Sequence, residues 1–389
     1  MLKKIIPAVV AVFMCLVLCA CGGLYDKEYY SETDYVQTVQ AENVDSVVVK
    51  NMTELKKVIT DIITDGREEG AVSFDHGYEG DANEDLSNAC WQIRTQNAFC
   101  AYCVESLSFE LYKVMSSTEA NIFVTYSQSR EAIDGIVRMN YSYGVDRCIL
   151  QALKNSEKSL TVLINNSSYT EESMSALVLD VYRKNPLSVP REPTVETVLY
   201  SGAGSQRLYG ITLDYGVSDK EMEKFRDETA ALEPMADVDT AGMPPVQKAY
   251  EACRYLTENA AFAENSKKNS AYAALYGGEA DSEGLALAYV ELCARLGVPC
   301  TVVYGQKNWE DHCWNIITLG SDSFHVDITL CINDGISAGF LKNDKNMWDS
   351  YRWDMSSYAS CTGRADFVIP ASERTASAED AEESEGNEE

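Results

Sequence analysis

The chain has 389 residues, room for two ordinary domains, and 46% of them are hydrophobic, enough to bury a core. It carries 61 acidic against 32 basic residues, a formal charge of -29. Phosphate binding needs clustered Lys and Arg, and no basic run here exceeds two residues, so the composition argues against nucleic acid as a partner.

The N-terminus reads as an export signal. Met1-Leu2-Lys3-Lys4 is a basic start, and Ile5 to Leu18 is an apolar run too short for a comfortable membrane span. It ends in Leu18-Cys19-Ala20-Cys21 followed by Gly22-Gly23, which resembles the bacterial lipobox. The resemblance implies a lipoprotein signal peptide over 1–20, cleavage before Cys21, and thioether lipidation of the Cys21 sulfur. Membrane lipid is then a partner, and the chain sits on the extracellular face of a bacterial cell membrane. A plain secretory signal or an uncleaved anchor helix is the alternative, and each of these exports the chain.

Three of the thirteen cysteines fall in this segment, leaving ten. An exported chain can hold disulfides, but the spacing shows no dense framework. Cys100-Ala101-Tyr102-Cys103 has redox spacing without a thioredoxin-like context, and no second such pair supports a zinc site. Buried apolar thiols are the expectation, with no metal and no cofactor.

Residues 21–43 are polar and Tyr-rich and read as a spacer. Ser46 to Asn51 is a strand by its β-branched run. A helix follows, with Thr53 as N-cap and Leu55, Val58, Ile59, Ile62 and Ile63 at helical spacing. "AVSFDH" and "NIFVTYS" read as strands. The pattern returns with the strand "SLTVLINN", the helix "TEESMSALVLDVYRKNP" and the strands "VETVLYSG" and "YGITLDYG". Tyr126-x-x-Ser129-x-x-x-Ile133 also matches Tyr215-x-x-Ser218-x-x-x-Met222. The expectation is an α/β repeat-like N-terminal region over 44–225, as two strand-helix-strand-strand units at 44–140 and 158–225. An insertion around "DANEDLSNACWQIRTQNAFCAYCVESLS" would interrupt the first. Coincidental alternation of helices and strands stays open.

From Met243 the texture changes. "MPPVQKAYEACRYLTENAAF" is helical, and a second helix runs from about Ser282 to Leu296. The strands "CTVVYG", "HCWNIITL" and "FHVDIT" come next. Helices followed by strands give an α+β fold over 243–370, a helix packed on an antiparallel sheet. The tail 371–389 is acidic and reads as disordered.

Three segments carry the chemical signal. Gly277 to Gly284 leads into the second helix with Ser282 at its start. His312 lies on one strand and Asp327 on the next, and the chain has only three histidines, His76, His312 and His325. On paired strands a His and an Asp can share a face, so Asp327 can hold the His312 imidazole in one tautomer. A nucleophile at the helix start would meet that imidazole and feel the helix dipole and its free N–H groups.

These segments, "NSAYAALYGGEADSEG", "RLGVPCTVVYG", "DHCWNIITL" and "FHVDIT", resemble the transglutaminase-like superfamily, the papain-related group with Cys, His and Asp in that order. The later "GFLKNDKNM" is similar to its bacterial cell-surface branch. The resemblance implies His312 as general base, Asp327 as its orienter, and Ser282 at the position where the family carries cysteine. A serine hydroxyl is a far weaker acid than a thiol of pKa near 8.5, which favours loss of the original chemistry. Cys313, Cys293 and Cys300 are poor substitutes: the first points to the other face, the second lies three turns on, and the third reads as core.

Three functions follow. A catalytically degenerate domain on a surface lipoprotein would bind a peptide, protein or cell-wall ligand. A serine-dependent peptidase or acyltransferase would use Ser282, His312 and Asp327. A non-enzymatic interaction protein would work through the N-terminal region. Ser282 can also serve merely as an N-cap. His325 borders the cleft or packs beside it, and Trp309, Trp314, Trp348 and Trp353 form a ligand platform or an aromatic core.

Overall fold

The structure is a computed structural model that describes residues 46–264, 267–364 and 367–370. The expected signal peptide, Cys21, spacer and acidic tail lie outside the described residues. The described residues divide into two compact units: those up to Val137 with Tyr200–Leu208, and Arg138–Leu199 with those from Tyr209 on.

In the first unit, β1 (Val47–Val49) leads into α1 (Met52–Thr64). The N-cap is Asn51, not Thr53, because the extended Asn51 accepts from the Glu54 N–H and takes the first free donor of the helix. Leu55, Ile59, Ile62 and Ile63 form its buried stripe. Then come β2 (Glu69–Phe74), α2 (Ala82–Gln96), α3 (Ala98–Cys103), β3 (Val104–Val114), β4 (Ser117–Tyr126) and α4 (Arg130–Asp134). The sheet order is β1-β2-β4-β3. Cys100 and Cys103 are buried within α3.

The next elements repeat this plan: β5 (Val137–Tyr141), α5 (Val145–Lys154), β6 (Ser159–Asn166), α6 (Glu171–Lys184), β7 (Thr194–Ser201), β8 (Arg207–Asp214) and α7 (Asp219–Ala231). Their sheet order is β5-β6-β8-β7, the same as the first. This second sheet begins at Val137 rather than at residue 158, so α5 is the counterpart of α1. Sequence reading misses α5 because its N-cap is Gly144 at φ 92°, with no side-chain cap to mark the start. The segment read as an insertion forms α2, α3 and the start of β3, and α2 follows β2 as α6 follows β6.

The matching Tyr-x-x-Ser segments have matching roles. Ser129 and Ser218 are the N-caps of α4 and α7. The Tyr126 hydroxyl donates toward Arg67 O at 3.0 Å and Ile63 O at 3.2 Å, and the Tyr215 hydroxyl donates to Glu157 O at 2.6 Å. Tyr126 ends β4 and Tyr215 follows β8, and each ties down the turn after the first helix of its sheet, where carbonyls lose their helical partners.

The remainder of the second unit is built on α8 (Pro245–Asn259), β9 (Ala261–Phe262), α9 (Ala271–Gly277), β10 (Glu279–Ala280) and α10 (Ser282–Arg295). Next are β11 (Cys300–Lys307), β12 (Glu310–Leu319), β13 (Asp322–Val326), α11 (Ile328–Asp334), α12 (Ile336–Gly339), α13 (Asp344–Met347) and β14 (Tyr351–Arg352). The sheet is antiparallel with order β13-β12-β11-β14. Helix α10 is apolar nearly all round and is the buried axis of this part, from Gly284 through Cys293. Asn315 on β12 donates to Ala286 O at 3.0 Å and fastens sheet to helix. Mixed helices and sheets with helix packed on antiparallel sheet make the fold α+β.

Replacing Tyr215 by Phe leaves the Glu157 carbonyl without its donor and is expected to cost about 1 kcal/mol. Urea unfolding followed by circular dichroism measures it; an unchanged midpoint would mean the hydroxyl does not fix that turn.

Candidate active site

Ser282 is the first residue of α10, and its N-cap is Asp281, whose carboxylate accepts from the Gly284 N–H at 2.9 Å. Capping is therefore done by Asp281 and not by Ser282. The Ser282 Oγ accepts from the Cys313 N–H at 3.2 Å. Cys313 lies beyond the last β12–β13 pair, Asn315 with Val326, and the serine oxygen serves its backbone donor there. Gly284 permits this seating: a Cβ there would come within 2.8 Å of Lys268 O and 2.9 Å of Ser270 N.

His312 sits on β12 beside Cys313 and is buried. Its Nε2–H donates to Asp327 Oδ2 at 2.9 Å, which leaves Nδ1 as the basic nitrogen of the neutral ring. Ser282 thus meets the backbone next to His312. Among the described residues no hydrogen bond joins its hydroxyl to the imidazole.

Asp327 is not on a strand, as "FHVDIT" suggests. β13 stops at Val326, and Asp327 is the N-cap of α11, with Oδ1 accepting from the Leu330 N–H at 3.0 Å. Its other oxygen accepts from His312 Nε2 and from the Tyr351 hydroxyl at 2.6 Å, and forms an ion pair with Lys307 Nζ at 3.6 Å. Burial pushes the carboxyl upward. The hydrogen bond and charge of His312, then Lys307 and Tyr351, outweigh it and hold the group below the ordinary carboxylate value. Burial, and then the Asp327 charge, push the Tyr351 phenol far up, so it stays a donor.

Tyr351 and Lys307 have no place in the sequence reading. Tyr351 follows Asp327 by 24 positions without any motif. Lys307 was legible in principle. Asn308 and Trp309 have φ of 53° and 72°, a two-residue hairpin that pairs Lys307 with Glu310 and Gly305 with His312. Residues 305 and 307 then share the His312 face.

The helix start is acidic. Burial raises Asp281, and burial followed by the Glu192 charge raises Glu283. Glu192 pairs with Arg183 at 3.0 Å, and the Arg183 guanidinium lies 4.5 Å from the Tyr304 ring centre, so α6 contributes to this side of the site. Cys313 faces these acids; burial first, then Glu283 and Asp281, hold its thiol well above its ordinary value. A thiol so raised is a poor nucleophile.

His325 is fully buried and does not border a cleft. Its Nδ1 accepts from the Trp314 indole N–H at 2.9 Å, and its Nε2–H donates to Asp344 Oδ1 at 2.9 Å. His325, Asp344 and Cys361 bring potential ligand atoms within 4.8 Å of one another. The indole only donates, so Nδ1 must keep its lone pair. A metal at Nε2 would then need an imidazolate, and the trio fits a hydrogen-bonded scaffold better than a metal centre. Burial and Asp344 push the Cys361 thiol up to about 12, which also disfavours a thiolate ligand. Trp314 is buried and Trp353 packs on it and on His325, while Trp309 and Trp348 are exposed. The four tryptophans thus split between core and surface.

Burial lowers the His325 value despite the opposing pull of Asp344, so folding favours the neutral ring. The unfolded chain takes up this proton first, near the ordinary 6.5, so the stability is present above that pH and is lost as pH falls below it. The urea midpoint of the unit holding Trp314 is expected to fall between pH 7.5 and 5.5, read by tryptophan fluorescence. His325→Gln should flatten that slope, and an unflattened slope would assign the acid sensitivity elsewhere.

Residues 235–328 match the family model of the transglutaminase-like superfamily. No curated protein matches the chain. Among solved structures, one described as a "TGase" is 10% identical with a TM-score of 0.19 and covers 55% of this chain and 64% of its own. A "Putative Cysteine Protease from Cytophaga hutchinsonii" is 13% identical with a TM-score of 0.20 over 35% of this chain and 62% of its own. A "putative protease from Parabacteroides distasonis" is 10% identical with a TM-score of 0.22 over 69% of this chain and 41% of its own. The chain spans less than two thirds of each, and overlays with scores this small carry no argument. The family match alone, running from ten residues before α8 to Ile328 and enclosing Ser282, His312 and Asp327, marks a transglutaminase-like domain in the C-terminal half of the chain.

Proposed function

We propose that this domain is a catalytically degenerate, ligand-binding module of an exported bacterial surface lipoprotein. The observation that carries the reading is the Ser282 hydroxyl, engaged as acceptor for the Cys313 N–H at the end of the β12–β13 ladder. A thiolate mechanism needs an anion stabilised at the helix start. Here that start holds a hydroxyl, and the carboxyls of Asp281 and Glu283 flank it and oppose the dipole. The ligand class is a peptide, a protein or a cell-wall fragment. The chain's net charge of -29 disfavours polyanions. Lipid attachment through Cys21 is part of the proposal and rests on the lipobox-like Leu18 to Gly23.

The second reading, a serine peptidase or acyltransferase, is favoured by one observation: the pairing of His312 with Asp327 is intact. The first reading explains that pairing too. Each member is buried, and losing one leaves the other's polar atoms unpaired.

A serine-directed fluorophosphonate probe separates the two. The wild-type protein is expected to stay unlabelled; labelling that disappears in Ser282→Ala would establish the serine enzyme. Ser282→Ala is expected to lose about 1 kcal/mol of stability, since the Cys313 N–H loses its acceptor. For the anchor, metabolic labelling with an alkyne fatty acid in a bacterial host should mark the wild type and not Cys21→Ala; equal labelling of both would remove the lipoprotein proposal.

A further inference from the structure

Two hydrogen bonds and one ion pair converge on one oxygen of Asp327, and two of the three partners can carry positive charge: His312 and Lys307. A Cys/His/Asp constellation has no need of the lysine. Lys307 Nζ lies 3.6 Å from Asp327 Oδ2 and 5.4 Å from the Tyr351 ring centre, over a π face that favours a cation. The lysine side chain is 23% exposed and the carboxylate 1%, so water screens this cluster weakly. The titratable groups facing His312 among the described residues are Asp327 at the head of α11, Tyr351 on β14 and Lys307 on β11.

We propose that Lys307 is a positioning residue that shares the Asp327 charge and thereby holds His312 in its neutral form. One carboxylate cannot fully compensate two cations at the same oxygen. With the ammonium in place, an imidazolium forms beside a counter-ion already engaged, and a like charge within a few ångströms disfavours the protonated ring. Tyr351 acts in the same sense, because its hydrogen bond takes up part of the same lone-pair density.

The consequence for chemistry rests on the reading of Ser282 given above; the charge effect does not. A thiolate nucleophile works as an ion pair with a protonated imidazole, whereas a hydroxyl needs a neutral one. Lys307 therefore sets this site against thiolate chemistry from the base side, as Ser282 does from the nucleophile side. Restoring cysteine alone leaves the imidazole biased toward the wrong protonation state.

The chain's three histidines make the test direct. Proton NMR of the imidazole Cε1–H signals, assigned with His312→Gln, reads each titration separately. In Lys307→Met the His312 midpoint is expected to move to higher pH by about 0.5 unit or more. In Lys307→Arg, which keeps the charge, it should stay with the wild type, and exposed His76 should not move in either. Lys307→Gln serves as a second neutral variant should the methionine variant fold poorly. An unmoved His312 midpoint in the neutral variants overturns the proposal, as does an equal shift in Lys307→Arg, which would make packing the cause. Fluorophosphonate labelling of Ser282 is a separate readout, so failure of one leaves the other standing.

Discussion

A carboxylate that is 1% exposed governs this domain, because an unpaired ionised group at that depth would cost several kcal/mol. Asp327 meets the demand with partners from different elements: hydrogen bonds from the imidazole of β12, the phenol of β14 and the Leu330 amide of its own helix, and an ion pair with the ammonium of β11. That requirement explains local features that look unrelated. β13 ends at Val326 so that the backbone can turn and cap α11. β14 is just two residues long, yet it pairs with Gln306 and Lys307 at the far edge of the sheet and so brings Tyr351 to the carboxylate. Gly305 is needed opposite His312, since a Cβ there would lie 2.3 Å from Arg352 O and 2.7 Å from the Trp314 ring.

A second buried polar chain supports the first. Trp314 donates to His325, His325 donates to Asp344, and Asp344 accepts from the Cys361 N–H at 3.0 Å. Trp314 stands two residues from His312 on the same face and stacks with it at 6.2 Å. The imidazole of His312 is thus fixed by Asp327 on its hydrogen-bonding edge and by an indole beside its ring. Buried networks of this type hold their members in one arrangement when every group is satisfied.

Periodicity made most of the fold legible. The apolar spacing of α1, the β-branched runs of β1 and β6, and the α10 boundaries all follow from local rules. Strand parity allows His312 and Asp327 to share a face, and the two do meet, although Asp327 reaches the imidazole from the head of α11 and not from a strand. What escaped had no local signal. α5 starts at a left-handed glycine instead of a capping side chain, so the second sheet looked a strand and a helix shorter than it is. Tyr351 reaches Asp327 across 24 residues, through the pairing of a two-residue strand. Asp327 itself was misplaced because "FHVDIT" has strand composition up to the residue where the carboxylate begins a helix.

One atom at residue 282 changes what the helix start can do. Oxygen is a good acceptor, and the Cys313 N–H beyond the end of the β13 ladder uses it; sulfur accepts weakly and would leave that buried-edge amide poorly served. A cysteine there would gain nucleophilicity only by becoming an anion, next to Asp281 and Glu283 and facing a base whose counter-ion Lys307 also occupies. The hydroxyl avoids both difficulties by staying neutral. Ser282, the acidic first turn and Lys307 are therefore mutually consistent: under the proposed degenerate reading, each fits a site without a thiolate–imidazolium pair.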